Sequence, residues 1–230
     1  MLVTLVSMSL LAPAALADRA PAAAPARSAP LPPAPTRVAA PPLVQLAPID
    51  AAAIPAPCQP LAKQALADTT AVTAAAAPAA LSARIALASC MAERAVAPIA
   101  LCDCGASIVA IDQAAKPAID VLDDVIAKGA PVTQMMAEHA EGQLYAGFVV
   151  RLQATLPKVG AQATEAEAAL YDMRKQTLEA QLATWREAEM TSFQHVVELA
   201  KAHPDLARNP TIATAVRDSE QRLASEIAAR

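Results

Sequence analysis

Glycine and aromatic residues are nearly missing from this chain: 230 residues hold five glycines, one tryptophan, two tyrosines and two phenylalanines. So few glycines leave little material for tight hairpin turns or for loops whose backbone cradles phosphate. A core with so few rings must come from Leu, Val, Ile, Met and Ala, which suits close helix-on-helix packing and disfavours a sandwich or barrel. Basic runs are also absent, and 18 Lys and Arg against 22 Asp and Glu give a net charge of −4. The electrostatic footprint of a nucleic-acid binder is therefore missing. No Gly-x-Ser-x-Gly, His-Glu-x-x-His or glycine-rich phosphate loop marks a catalytic centre. After residue 17 no stretch reaches the roughly 18 uncharged apolar residues of a membrane span. Arg84, Glu93, Asp103 and Asp112 interrupt the most apolar region.

What is present divides the chain into three parts. Residues 1–17, MLVTLVSMSLLAPAALA, form an uncharged apolar segment that ends in Ala15-Leu16-Ala17 before Asp18. Small residues three apart before a polar one match a signal-peptidase site, so the expectation is an exported protein, periplasmic or extracellular. No Lys or Arg precedes the apolar segment, which departs from the usual leader. Residues 18–57 carry eleven of the 20 prolines among alanines and isolated charges. Repeated X-Pro pairs favour polyproline II, so this segment is expected to be a disordered linker that makes neither helix nor sheet.

From Cys58 onward the prolines thin out and stand where helices begin, because proline is tolerated in the first turn and breaks interiors. The predicted helices run near 60–76, 79–96, 99–115, 117–128, 131–156, 162–203 and 210–229. Val132, Met136, Ala140, Leu144, Phe148, Leu152 and Leu156 recur every fourth residue, giving 131–156 a buried stripe. Leu170, Leu178, Leu182, Trp185, Phe193, Val196 and Ala200 do the same for the long helix after it. The fold class is thus all-α: short stapled helices over 58–128, then a long antiparallel hairpin with coiled-coil-like spacing and a last helix over 131–230.

Cys58, Cys90, Cys102 and Cys104 make an even set, and in an oxidising compartment they are expected to form two disulfides. A fold-back about Ala97-Pro98 pairs Cys90 with Cys104 and leaves Cys58 for Cys102. The rival chemistry is a soft metal ion or redox exchange at Cys102-Asp103-Cys104. A second candidate ligand set is Met135, His139 and His195, since Met135 and His139 share one helix face. Asp120, Asp123 and Asp124 read as a solvated acidic face, because they lack the alternating oxygen ligands and glycine of a calcium loop. The expected function is a non-catalytic protein-interaction or structural module, with a protein partner or self-association and no cofactor. The alternative is a helical metal or small-ligand carrier that uses Cys102 and Cys104 or the Met135, His139 and His195 set.

Overall fold

The computed structural model describes residues 42–158, 160 and 163–229. The expected signal peptide at 1–17 and the linker as far as residue 41 lie outside the described residues. The described chain is all-α apart from one small ribbon. Strand β1 (Leu43–Gln45) and two 3₁₀ turns (Ala51–Ala53 and Ala56–Cys58) lead into α1 (Gln59–Gln64) and β2 (Ala71–Thr73). Then follow α2 (Ala77–Val96), α3 (Gly105–Lys128), α4 (Pro131–Gln153), α5 (Glu165–Gln181), α6 (Ala183–Ala202) and α7 (Pro210–Ala229).

Residues 42–57 correct the linker reading. Leu43 to Gln45 pair antiparallel with Ala71 to Thr73, and Leu46, Ile49 and Ile54 are buried in the main core. The prolines do not prevent this, because Pro48, Pro55 and Pro57 stand outside the strand and surrender no ladder donor. Asp50 caps the first 3₁₀ turn by accepting from the Ala52 amide. Among the described residues, 42–57 already belong to the packed domain.

One side chain holds this segment down. Arg84 of α2 is 0% exposed, and its guanidinium donates to the carbonyls of Ala47, Ala65, Leu66 and Thr69. It also lies 3.5 Å from Asp124 of α3, which accepts from the Ala47 amide and pairs with Lys128. Asp124 is therefore no part of a solvated acidic face, whereas Asp120 pairs with Lys116 at the surface as a wet face requires. Arg84 also fixes the end of α1. Leu66 has φ 49°, the left-handed conformation usually given to glycine. Ala67 donates to Ala62 and Leu66 to Lys63, so α1 closes in a Schellman motif with leucine at the glycine position. Two carbonyls of that strained turn, Ala65 and Leu66, point at the guanidinium.

Helices α2 and α3 pack together, with Arg84 early in one meeting Asp124 late in the other. The predicted helices 99–115 and 117–128 are one helix that starts at Gly105 and runs through Pro117. Proline loses one backbone bond there, but Ile111, Ala115, Ala118, Val121, Leu122 and Val125 stay buried on a continuous face. The predicted helix 60–76 ends at Gln64, and Ala71 to Thr73 join the ribbon instead.

The expected hairpin is present as α4 against α6. Phe148 meets Trp185, Gly142 faces Phe193, Glu141 accepts from Ser192 and Glu138 pairs with His195. Numbers rise on α4 as they fall on α6, so the two run antiparallel. A Cβ on Gly142 would sit 2.8 to 3.0 Å from the Phe193 ring, so only glycine allows this approach. The predicted helix 162–203 is divided at Leu182 into α5 and α6. A capping box at Thr164 and Glu167 starts α5, and α7 closes on α4 and α6 through His139–Asp218 and Arg186–Glu226.

Candidate functional site

The cysteine pairing differs from the expected one: Cys58 bonds Cys90, and Cys102 bonds Cys104. The fold-back argument fails because Cys102 and Cys104 lie ahead of α3, in the loop after α2, so neither is on a helix facing Cys90. Cys58, buried and ending a 3₁₀ turn, instead lies 5.9 Å in Cα separation from Cys90 in mid-α2. That staple ties the entry segment to the bundle. The second disulfide spans a single residue and is superficial, with Cys102 exposed and Cys104 half-buried.

Chain features around the second disulfide are specific. Cys104 is the N-cap residue of α3, so its sulfur stands at the positive end of a 24-residue helix. Ser107, in the first turn, is buried; its Oγ accepts from the Cys102 amide at 2.8 Å and lies 3.2 Å from the Cys102 sulfur. Accepting from the amide leaves the hydroxyl proton free to point at sulfur. Asp103, between the cysteines, takes a bidentate contact from Arg174 of α5, at 2.5 and 2.6 Å. The guanidinium holds the Asp103 carboxyl below the usual carboxylate range.

Arg174 also lines a groove of about 450 Å³ with Pro157, Lys158, Glu167, Leu170 and Tyr171. The groove and the disulfide loop therefore share one residue. Helix α5 is buried only at Leu178, and it shows solvent two large apolar side chains, Leu170 at 54% and Met173 at 64% exposure.

The Met135, His139 and His195 set is not brought together. Met135 is fully buried, His139 turns to Asp218 of α7 at 2.9 Å, and His195 turns to Glu138 at 3.2 Å. His195 faces the α3 side, in a cleft it shares with Asp123, Glu138 and Glu141, so the two histidines serve opposite flanks of the α4–α6 seam. Cys102 and Cys104, the other proposed ligand pair, are bonded to each other. Among the described residues no group of three or more His, Cys, Asp or Glu side chains is arranged to hold a metal ion.

That cleft gathers four carboxyl groups, of Asp123, Glu138, Glu141 and Glu187, around one histidine. Burial, then the charges of Asp123 and Glu138, push Glu141 up to about 7, and burial raises Glu138 as well. An acid whose folded pKa lies above its unfolded one penalises the fold when ionised. The penalty is full above pH 7 and is relieved as pH falls toward the unfolded value near 4.5. Lowering pH from 8 to 5.5 is thus expected to stabilise the protein by about 1 to 2 kcal/mol from this group, discounted for its partial exposure. Glu141→Gln keeps an acceptor for Ser192 and should remove most of that gain in urea midpoints at the two pH values. An unchanged pH slope would refute the assignment to Glu141.

Several of these residues carry no sequence signal. Arg174 lies 71 positions from Asp103 and Asp218 lies 79 from His139, so only the folded register reveals them. Ser107 was legible in principle, as a hydroxyl three residues after the cysteine that opens a helix. Fold and site together define a disulfide-stapled helical bundle with a surface disulfide beside an apolar groove. No family model, curated protein or solved structure matches the chain.

Proposed function

We propose that this chain is an exported, non-catalytic helical module that binds another protein, or a second copy of itself, through α5 and the adjoining groove. The observation that carries this reading is the outer face of α5. Leu170 and Met173 stand exposed on a helix attached to the bundle mainly by its C-terminal end, beside a groove with an apolar floor. Such side chains recover apolar burial only when a partner covers them. Two disulfides support a periplasmic or extracellular setting, because thiols are kept reduced in the cytosol. The unusual leader points the same way.

The test places a photocrosslinking amino acid at Met173 in protein exported by its own cells. A discrete adduct is expected, reduced at least about tenfold by Leu170→Asp. The same crosslinker at Val109, an equally exposed apolar position on α3, serves as the control and should give none. A monomer over a wide concentration range with no adduct at Met173 removes the support for this reading.

A further inference from the structure

We propose that Cys102-Asp103-Cys104 is a thiol–disulfide exchange site that accepts two electrons from a dithiol of a polypeptide. This goes beyond the binding reading: it stands on the disulfide loop and shares with that reading only the groove. The two disulfides differ in exposure and in the length of loop they close. Cys58–Cys90 joins the fully buried Cys58 to the partly buried Cys90 of α2 across a separation of 32 residues, so an attacking thiolate has less access to it. Cys102–Cys104 has a separation of two, lies in a surface loop and exposes Cys102. Closing so short a loop contributes little to folding, and exposed disulfides are the labile ones.

The surroundings assign a direction to the step. A substrate thiolate attacks the exposed Cys102 sulfur, the S–S bond breaks, and its electron pair leaves on Cys104 as thiolate. Cys104 is suited to that role, because as the N-cap residue it stands at the positive pole of α3, where its side chain makes no capping hydrogen bond. Arg174 neutralises the one carboxylate between the two cysteines, so the charge of Asp103 does not oppose the thiolate. A second thiolate of the substrate then attacks its own sulfur in the mixed disulfide and expels Cys102. The Ser107 hydroxyl, 3.2 Å away, is placed to donate to that departing sulfur. The substrate has gained a disulfide, and Cys102 and Cys104 have gained two electrons and two protons. The groove lined by Arg174, Leu170 and Tyr171 gives an extended apolar segment a place to lie beside this loop.

The experiment equilibrates the full folded chain with glutathione buffers of graded ratio, quenches with acid, alkylates and maps the modified peptides. Cys102 and Cys104 are expected to become alkylated together at reducing ratios at least about tenfold milder than those that open Cys58–Cys90. Cys104→Ser should then trap glutathione on Cys102, and a reduced two-cysteine peptide should be oxidised by the wild-type chain but not by Cys102→Ser. Loss of the α5 adduct with this exchange intact would remove the binding reading alone. If both disulfides open at the same ratio, or the peptide dithiol persists beside the wild-type protein, the exchange site is refuted whether or not the variants fold.

Discussion

Arg84→Leu is expected to lower stability by about 3 to 5 kcal/mol, near the top of the range for one substitution. The loss has two parts. Asp124 loses one of its two cations and keeps only Lys128, and the carbonyls of Ala47, Ala65, Leu66 and Thr69 lose their shared donor. Leucine fills some of the volume but satisfies none of these acceptors, and an acceptor left dry costs more than the bond itself was worth. Urea unfolding measures the loss. Limited proteolysis localises it, because residues 42–57 should become cleavable in the variant while α4 to α7 stay protected. Arg84→Lys should fall between, since an ammonium has three donors and lacks the planar fork that reaches four separate carbonyls. A loss under about 1 kcal/mol for Arg84→Leu would show that the entry segment is held by its apolar residues alone.

The second large effect separates the two disulfides. Removing Cys58–Cys90 by a double change to alanine frees a loop of separation 32, which the chain-entropy relation values at about 4 kcal/mol. The same relation gives less than about 2 kcal/mol for Cys102–Cys104, whose separation is two. Denaturation midpoints of the two double variants should differ accordingly, with the Cys102/Cys104 variant staying close to wild type. Equal losses would mean that the surface disulfide braces the α2–α3 loop far more than its short span implies.

Helix starts were legible wherever proline occupies a first turn, as at Pro78, Pro131 and Pro210, because a ring that fixes φ and lacks an amide suits that place. The same rule misleads at Pro117, where burial of the flanking apolar face outweighs one lost backbone bond and the helix continues. The break at Leu182 has no breaker residue near it. Proline count also conceals Leu46, Ile49 and Ile54, whose burial makes 42–57 part of the domain. The ribbon strand Ala71–Thr73 could not be foreseen, since the three residues Ala-Val-Thr are too few for a periodicity to read. The hairpin of α4 with α6 was legible from apolar periodicity, but of the four-residue stripe only Phe148 and Leu152 are buried, Met135, Ala137, Gly142 and Val149 carrying the rest of the face, and the register was not legible. That register decides that Glu138 meets His195 and that Glu141 meets Ser192. The cysteine pairing followed the error in where α3 begins, since a six-residue shift takes Cys102 and Cys104 off the helix.

The way residues 42–57 are fastened also sets how the domain bears tension. A pull at Pro42 loads the β1–β2 pairing first, then the grip of Asp124 and Arg84 on Ala47. Once these yield, the segment pays out about 50 Å of chain. Slack then ends at Cys58, where a covalent bond passes the load straight into the middle of α2. The domain is built as a breakaway link in series with a hard stop, so a sharp tug is absorbed at its edge before any force reaches α4, α6 or the α5 face.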